Sequence, residues 1–264
     1  MEHERSHLLW LTDTHIWRKH AFLEAITKED PTAILHSGDL TDGFLLEGVL
    51  DFLGARLPCP IYYVGGNHEL FGSDIETTHA LFRSMGAKYP NLIWATERGI
   101  IPLNETTALI AHEGWYDCLF GNEDCIRLTF DWFMVKDFRV LPGMNSRIEM
   151  FRAMAKESAE VLSTRLEEAL ATYETVYLIS HIPAWVEAAK AMGNFVFKIW
   201  GLYNTNWILG QELERVMAKH PTKKLISLFG HSHHPLTFNP ASNIECRVGA
   251  HGFKHIAAFN RIYI

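Results

Sequence analysis

A short apolar run that stops abruptly at a cluster of Asp, Asn or His recurs six times along the chain. His7 to Leu11 leads into Thr12-Asp13-Thr14-His15, and Ala33 to Leu35 into His36-Ser37-Gly38-Asp39. Ile61 to Val64 leads into Gly65-Gly66-Asn67-His68-Glu69, and Ala108 to Ala111 into His112. Late in the chain, Val176 to Ile179 precedes Ser180-His181, and Leu225 to Phe229 precedes Gly230-His231-Ser232-His233. Near-continuous apolar runs this short fit strands covered on both faces. Helix-like segments at Ala21 to Lys28 and Leu45 to Leu53 fall between the early runs, giving a β-α-β-α-β opening. Ligands of α/β sheets gather beyond the carboxyl ends of strands, so the six polar clusters are expected to face one cleft.

The middle of the chain breaks this rhythm. Residues 113–143 are aromatic-rich and irregular, and a long helix is expected from Ser146, whose spacing to Glu149 is that of a capping box. Ile148, Phe151, Ala155, Leu162, Leu166 and Leu170 then repeat at helical period. A second aromatic stretch, 195–209, fits a packed loop and helix beside the cleft. No repeat or Pro- or Ser-rich linker divides the chain. One domain spanning 1–264 is therefore expected, with an aromatic and helical elaboration at about 113–172.

Composition narrows the function classes. Apolar residues make up 48% of 264, enough for a sizeable core. The formal charge of −7 argues against a sequence-independent grip on nucleic acid, which needs basic patches. No stretch approaches a membrane-spanning length, and Leu8 to Leu11 is too short for a signal-peptide core. Cysteines at 59, 118, 125 and 246 form no C-x-x-C pair, so a reduced, cytoplasmic setting is expected.

The clusters hold two carboxylates, Asp13 and Asp39, one amide, Asn67, and four imidazoles, His15, His181, His231 and His233. That is too many donors for one tetrahedral zinc, and enough for two adjacent divalent ions sharing a carboxylate. The absence of nearby thiols points to manganese, iron or zinc in a nitrogen and oxygen shell. Two such ions suit in-line displacement at phosphorus, because they generate hydroxide from a shared water and neutralise charge on the phosphoryl group. The leaving oxygen then needs a proton. His68, beside Asn67, is the candidate donor, with Asp42 as its carboxylate partner.

Asp13-Thr14-His15, Gly38-Asp39-Leu40-Thr41-Asp42, Gly66-Asn67-His68-Glu69, His181 and Gly230-His231-Ser232-His233 together resemble the calcineurin-like metallophosphoesterases. The five blocks stand in the family's order between residues 13 and 233. The resemblance implies a four-layered α/β sandwich, two central mixed β-sheets flanked by helices. It implies that Asp13, His15 and His233 hold one ion, that Asn67, His181 and His231 hold the other, and that Asp39 bridges them. His68 would be proton donor or phosphate ligand, oriented by Asp42. The implied activity is hydrolysis of phosphomonoesters or small phosphodiesters by a hydroxide carried on the ions.

The blocks are shared by phosphatases, cyclic-nucleotide phosphodiesterases and nucleases, and do not choose among them. Net acidity and the lack of a Lys/Arg run lower the nuclease reading, and a phosphoprotein substrate stays open. Non-catalytic scaffolds of the same fold lose the proton donor or some ligands, whereas His68 and all seven ligands stand here. Trp115 and Tyr116 are expected either in a substrate wall or in the core, His36 and His112 as structural residues, and His234 near the last block. His251 and His255 have no assignment.

Overall fold

The computed structural model describes residues 7–120, 129–193, 195, 201, 204–252 and 260–264. Residues 121–128 of the first aromatic stretch, most of 196–203 in the second, Cys125 and His255 lie outside the described residues.

The first half runs β1 (Leu8–Leu11), α1 (Lys19–Glu29), β2 (Ala33–Ser37), α2 (Gly43–Gly54), β3 (Ile61–Val64), α3 (Ile75–Lys88) and β4 (Leu92–Trp94). Next come β5 (Ile101–Pro102), β6 (Thr107–Ala111) and the short helices α4 (Asp131–Met134) and α5 (Lys136–Arg139). The long α6 (Met144–Leu170), β7 (Thr175–Ile179), α7 (Val186–Lys190) and α8 (Trp207–Met217) follow. The chain closes with β8 (Lys224–Phe229), β9 (Leu236–Ala241), β10 (Ile244–Val248) and β11 (Arg261–Ile262).

Two mixed sheets result. One has the order β11-β1-β2-β3-β4, with only the β1–β11 pair antiparallel. The other has the order β5-β6-β7-β8-β10-β9, parallel except for its two outermost pairs.

The alternation within each apolar run shows how the layers stack, because successive strand side chains point to opposite faces. Leu9 and Leu11 of β1, Ile34 of β2, and Ile61 and Tyr63 of β3 pack against Phe22, Leu50 and Phe82 of α1, α2 and α3. Val176 and Leu178 of β7, with Leu225 and Phe229 of β8, pack against Leu162, Leu166 and Leu213 of α6 and α8. The intervening residues, Leu8, Trp10, Leu35 and Val64 from one sheet and Leu109, Tyr177, Ile179, Ile226 and Leu228 from the other, form a third cluster containing no α-helical residue. The sheets therefore face each other with helices outside, the four-layered sandwich expected. The Ser37 hydroxyl donates to the Leu228 carbonyl at 3.0 Å, tying the two sheets together at their carboxyl ends.

The long helix starts two residues before the expected point. Gly143 precedes it and makes no side-chain cap, while Ser146 already lies inside and its hydroxyl bonds back to the Gly143 carbonyl at 3.0 Å. A serine in the first turn can satisfy itself this way, so a capping-box spacing in sequence need not mark the cap.

Candidate metal centre

The seven expected ligands meet where the carboxyl ends of β1, β2, β3, β7 and β8 converge. The i, i+2 pairs Asp13/His15 and His231/His233 converge through turned backbone, not strand alternation, since β1 ends at Leu11 and β8 at Phe229. Asp13 (φ 48°), His15 (38°), Asp39 (54°), His231 (67°) and His233 (56°) are five of the seven non-glycine residues with positive φ among the described residues. Left-handed backbone costs a non-glycine residue roughly 1–2 kcal/mol, and its concentration here marks a site whose geometry outweighs local preference. Backbone bonds from Asp13 to Gly38 (3.0 Å), His15 to Asp39 (3.1 Å) and Ile16 to Leu40 (2.7 Å) hold the first two loops together.

Three glycines of the ligand loops are required for close approach, Gly38, Gly66 and Gly230, the last because a Cβ there would collide with Thr12 Oγ1 and Asp13 Oδ2. Gly38 has φ 89°, and a Cβ there would stand 2.6 Å from His181 Nδ1. A Cβ on Gly66 would collide with Asp39 Oδ1.

The donor atoms fall into two groups. In one, ligand atoms of Asp13, His15, Asp39 and His233 lie within 4.8 Å of one another, with His233 Nε2 3.1 Å from Asp13 Oδ1 and His15 Nε2 3.6 Å from Asp39 Oδ2. In the other, Asn67 Oδ1 is 3.0 Å from His181 Nε2 and 3.1 Å from His231 Nδ1, and those two nitrogens are 3.2 Å apart. Asp39 Oδ1 is 3.4 Å from His181 Nε2. Asp39 thus turns one oxygen to each group, as a shared carboxylate would.

The residues fit a pair of divalent ions. His15 Nε2 is buried with no hydrogen-bond partner, an orphan that a cation would satisfy. The donors are oxygen and imidazole nitrogen without sulfur, suited to manganese, iron or zinc. His181 Nδ1–H donates to the Ser37 carbonyl at 2.9 Å, which leaves Nε2 as the inward-facing nitrogen.

The charge balance points the same way. Burial would raise the carboxyl of Asp39, yet the imidazoles of His181, His68 and His15 hold it well below its ordinary range. Burial likewise works against Asp13, and the hydrogen bond from His233 and the charge of His181 bring it down. Desolvation opposes a proton on His181, but the carboxylates of Asp39 and Asp13 overcome it and raise the imidazole to about 10. The carboxylates that hold this proton would equally attract a metal cation.

His68 stands beside the donors. Its Nδ1 is 2.7 Å from Asp42 Oδ1, and its Nε2 is 3.9 Å from Asp39 Oδ2. Burial lowers its affinity for a proton, while Asp39 and the Asp42 hydrogen bond more than restore it, so its pKa lies above the ordinary value.

Several partners were not foreseen from sequence. Asp131, buried at the start of α4, accepts Asn67 Nδ2–H at 2.8 Å, Tyr116 O–H at 2.8 Å and Thr129 O–H at 3.2 Å. Buried Glu69 accepts the backbone N–H groups of Asp39 and Leu40 and that of Gly66, clamping the two ligand loops. His251, beyond β10, lies with its ring centroid 5.1 Å from His15 and 4.7 Å from His233. The missed signal for His251 was its position after a strand and a glycine, the same arrangement as the other clusters.

The remaining histidines and aromatics fall elsewhere. His36 is buried against the Thr14 hydroxyl at 2.9 Å, and His112 pairs with Glu157 at 3.3 Å away from the donors. His234 lines the opening, its Nδ1–H donating to the Ser232 carbonyl at 2.6 Å. Trp115 and Tyr116 are core residues, packed with Phe138 and Phe151. The exposed aromatics at the opening are Phe44 and Phe130.

A two-sheet sandwich with a nitrogen and oxygen donor set at its strand ends is the architecture of a metal-dependent hydrolase. The chain belongs to the calcineurin-like phosphoesterase family, whose model matches residues 6–235. It is accordingly a metal-dependent phosphoester hydrolase of a family that works with two metals. Among curated proteins none matches this chain. The fold is similar to phosphopantetheinyl hydrolase from Mycobacterium tuberculosis, with a TM-score of 0.64 at 14% identity, covering 98% of this chain and 96% of that one. It is also similar to a dimetal phosphatase from Danio rerio (TM-score 0.54, 14% identity, 94% of this chain and 88% of that one). A protein of Thermus thermophilus gives a TM-score of 0.54 at 11% identity, over 94% of this chain and 90% of that one. No described helix is long and apolar enough to cross a membrane.

Proposed function

We propose that the protein hydrolyses phosphomonoesters or small phosphodiesters, with Asp13, His15 and His233 around one divalent ion, Asn67, His181 and His231 around a second, and Asp39 shared. The observation that carries this reading is the division of the Asp39 oxygens between the two donor groups. Manganese, iron and zinc all suit these donors. When bound, the ion pair supplies a nucleophile near neutral pH and neutralises charge on the phosphoryl oxygens.

The chain's own residues would do the rest. Asp42 fixes His68 through Nδ1, leaving Nε2 to hand a proton to the departing oxygen. Asp131 and Ser37 orient Asn67 and His181. A bowl of about 610 Å³ opens over His68, Asn67, His231 and His233, walled by Phe44, Phe130 and Met134. That volume lies within the roughly 300–1,000 Å³ of small-molecule sites. Among the described residues no lysine or arginine lines it, which favours a small ester over a nucleic acid strand.

The elaboration at about 113–172 belongs to the same single domain in this reading, because Leu70 and Phe71 pack into one cluster with Trp115, Phe138 and Phe151. Cys59 and Cys246, both buried and free, accord with a cytoplasmic setting.

Asp39→Asn tests the assignment. Turnover of para-nitrophenyl phosphate and bis(para-nitrophenyl) phosphate with added manganese should fall by at least about a hundredfold, because a shared anionic ligand is lost. Undiminished turnover would reject it.

A further inference from the structure

His251 stands outside the seven donors, yet its backbone is tied to theirs. It follows β10, where the chain turns back toward the centre. Gly249 N–H donates to the Phe229 carbonyl at 2.9 Å, and Gly252 N–H donates to the Asp13 carbonyl at 2.9 Å. The first bond fixes the turn to the end of β8, just ahead of His231 and His233. The second fixes it to the loop that carries Asp13 and His15. His251 therefore lies between two anchors, each on a segment that supplies ligands.

This placement brings its imidazole to the first donor group. The ring centroid is 4.7 Å from that of His233 and 5.1 Å from that of His15. Ligand atoms of the three histidines lie within 4.8 Å of one another. His15 and His233 also belong to the group completed by Asp13 and Asp39, so the two groups meet at a shared pair of imidazoles. Nitrogens bind zinc at about 2.0–2.1 Å, so two of them on one ion stand at most about 4.2 Å apart. The triad closes onto an ion through shifts of a few tenths of an ångström, and the exposed His251 side chain has room for them.

Packing alone explains this gathering poorly. Three imidazoles brought together at the surface bury little, whereas a cation among them satisfies ring nitrogens, including the buried and unpartnered Nε2 of His15.

We infer that His251 is a further ligand of the ion held by Asp13, His15 and His233. The inference rests on the two-ion reading above and deepens it. The shell of that ion then has three ring nitrogens beside the oxygens of Asp13 and Asp39. Imidazole suits zinc well, which makes zinc the probe.

Competition for zinc between the metal-stripped protein and a fluorescent chelator, with no substrate present, tests this. His251→Ala and His251→Phe both remove the ring nitrogens, and the second keeps a ring against His15 and His233. One of the two zinc equivalents should weaken by at least about tenfold in each variant, with the other unchanged. His15→Ala should weaken that same equivalent and so separates this inference from the reading beneath it. Wild-type affinity in both His251 variants, with His15→Ala weakened, would overturn the ligand role of His251 alone. Wild-type affinity in His15→Ala as well would overturn the two-ion reading with it. Weakening in His251→Ala but not in His251→Phe would also overturn the proposal, because ring packing would then account for the effect. A second measurement needs no substitution. Bound zinc should shield His251 from acylation by diethyl pyrocarbonate, read by peptide mass spectrometry, and equal acylation with and without zinc would contradict ligation.

Discussion

Asp131 offers a test of how the elaboration supports the metal centre. Its carboxylate makes only acceptor contacts: Oδ1 takes Asn67 Nδ2–H, and Oδ2 takes the hydroxyls of Tyr116 and Thr129. An ionised carboxylate cannot donate, so it fixes which way the Asn67 amide is turned, with Oδ1 facing His181 and His231. Asp131→Ala removes that constraint and leaves the amide N–H groups buried without an acceptor. A hydrogen bond to a charged group contributes about 1.5–3 kcal/mol, equivalent to roughly ten- to hundredfold in an equilibrium constant. Loss of an outer partner of a metal ligand typically weakens metal by the same factor. Asp131→Asn keeps one carbonyl oxygen for Asn67, and its amide nitrogen can donate to the Tyr116 and Thr129 hydroxyls, which rotate to accept.

The assay is competition between metal-stripped protein and a fluorescent chelator for zinc or manganese. In the alanine variant one of the two equivalents should weaken by about ten- to hundredfold, and in the asparagine variant by no more than about threefold. Wild-type affinity at both sites in Asp131→Ala, or an asparagine variant as weak as the alanine one, would refute the positioning role.

Two other outcomes follow from single histidines. His68→Ala should slow hydrolysis of an alkyl phosphate by about a hundredfold or more while costing para-nitrophenyl phosphate far less, since a good leaving group needs no proton. Equal losses on both would remove the proton-donor role. His36 is buried, and desolvation depresses its imidazole from 6.5 to about 3. As pH falls below 6.5 the unfolded chain takes up this proton and the folded protein does not, so stability is lost across the window down to about 3. The slope approaches roughly 1.4 kcal/mol per pH unit for one group. Denaturant titrations at about pH 6.5 and about pH 5 should show the stability gap between wild type and His36→Gln narrowing by about 1.5 kcal/mol. A gap that does not change with pH would contradict a neutral buried imidazole.

Six strands were legible because each is short, apolar and ends at a polar cluster; five of them feed the centre, while the cluster after β6, His112, turns to Glu157 instead. The six emerge as β1, β2, β3, β6, β7 and β8 within about two residues of the expected bounds. The remaining strands were hidden for physical reasons. β5 and β11 have two residues each, too few for a pattern. β10 alternates Ile244, Cys246 and Val248 with Glu245 and Arg247, so only one face is buried and no continuous run appears. With β10 unseen, His251 had no strand to stand behind.

The ligand types were visible, but their turned backbone was not, because positive φ at Asp13 or His231 is imposed by tertiary bonds rather than local preference. The support of Asn67 by Asp131 was equally invisible. It joins residues 64 apart, through an elaboration whose aromatic composition suited either a core or a substrate wall.

The central claim is two adjacent ions with Asp39 between them. An anomalous-difference map from manganese-loaded crystals tests it most directly. Two peaks about 3.5–4 Å apart are expected, one beside Asp13, His15 and His233 and the other beside Asn67, His181 and His231, each next to one Asp39 oxygen. A single peak, or two peaks that do not share Asp39, would contradict the account.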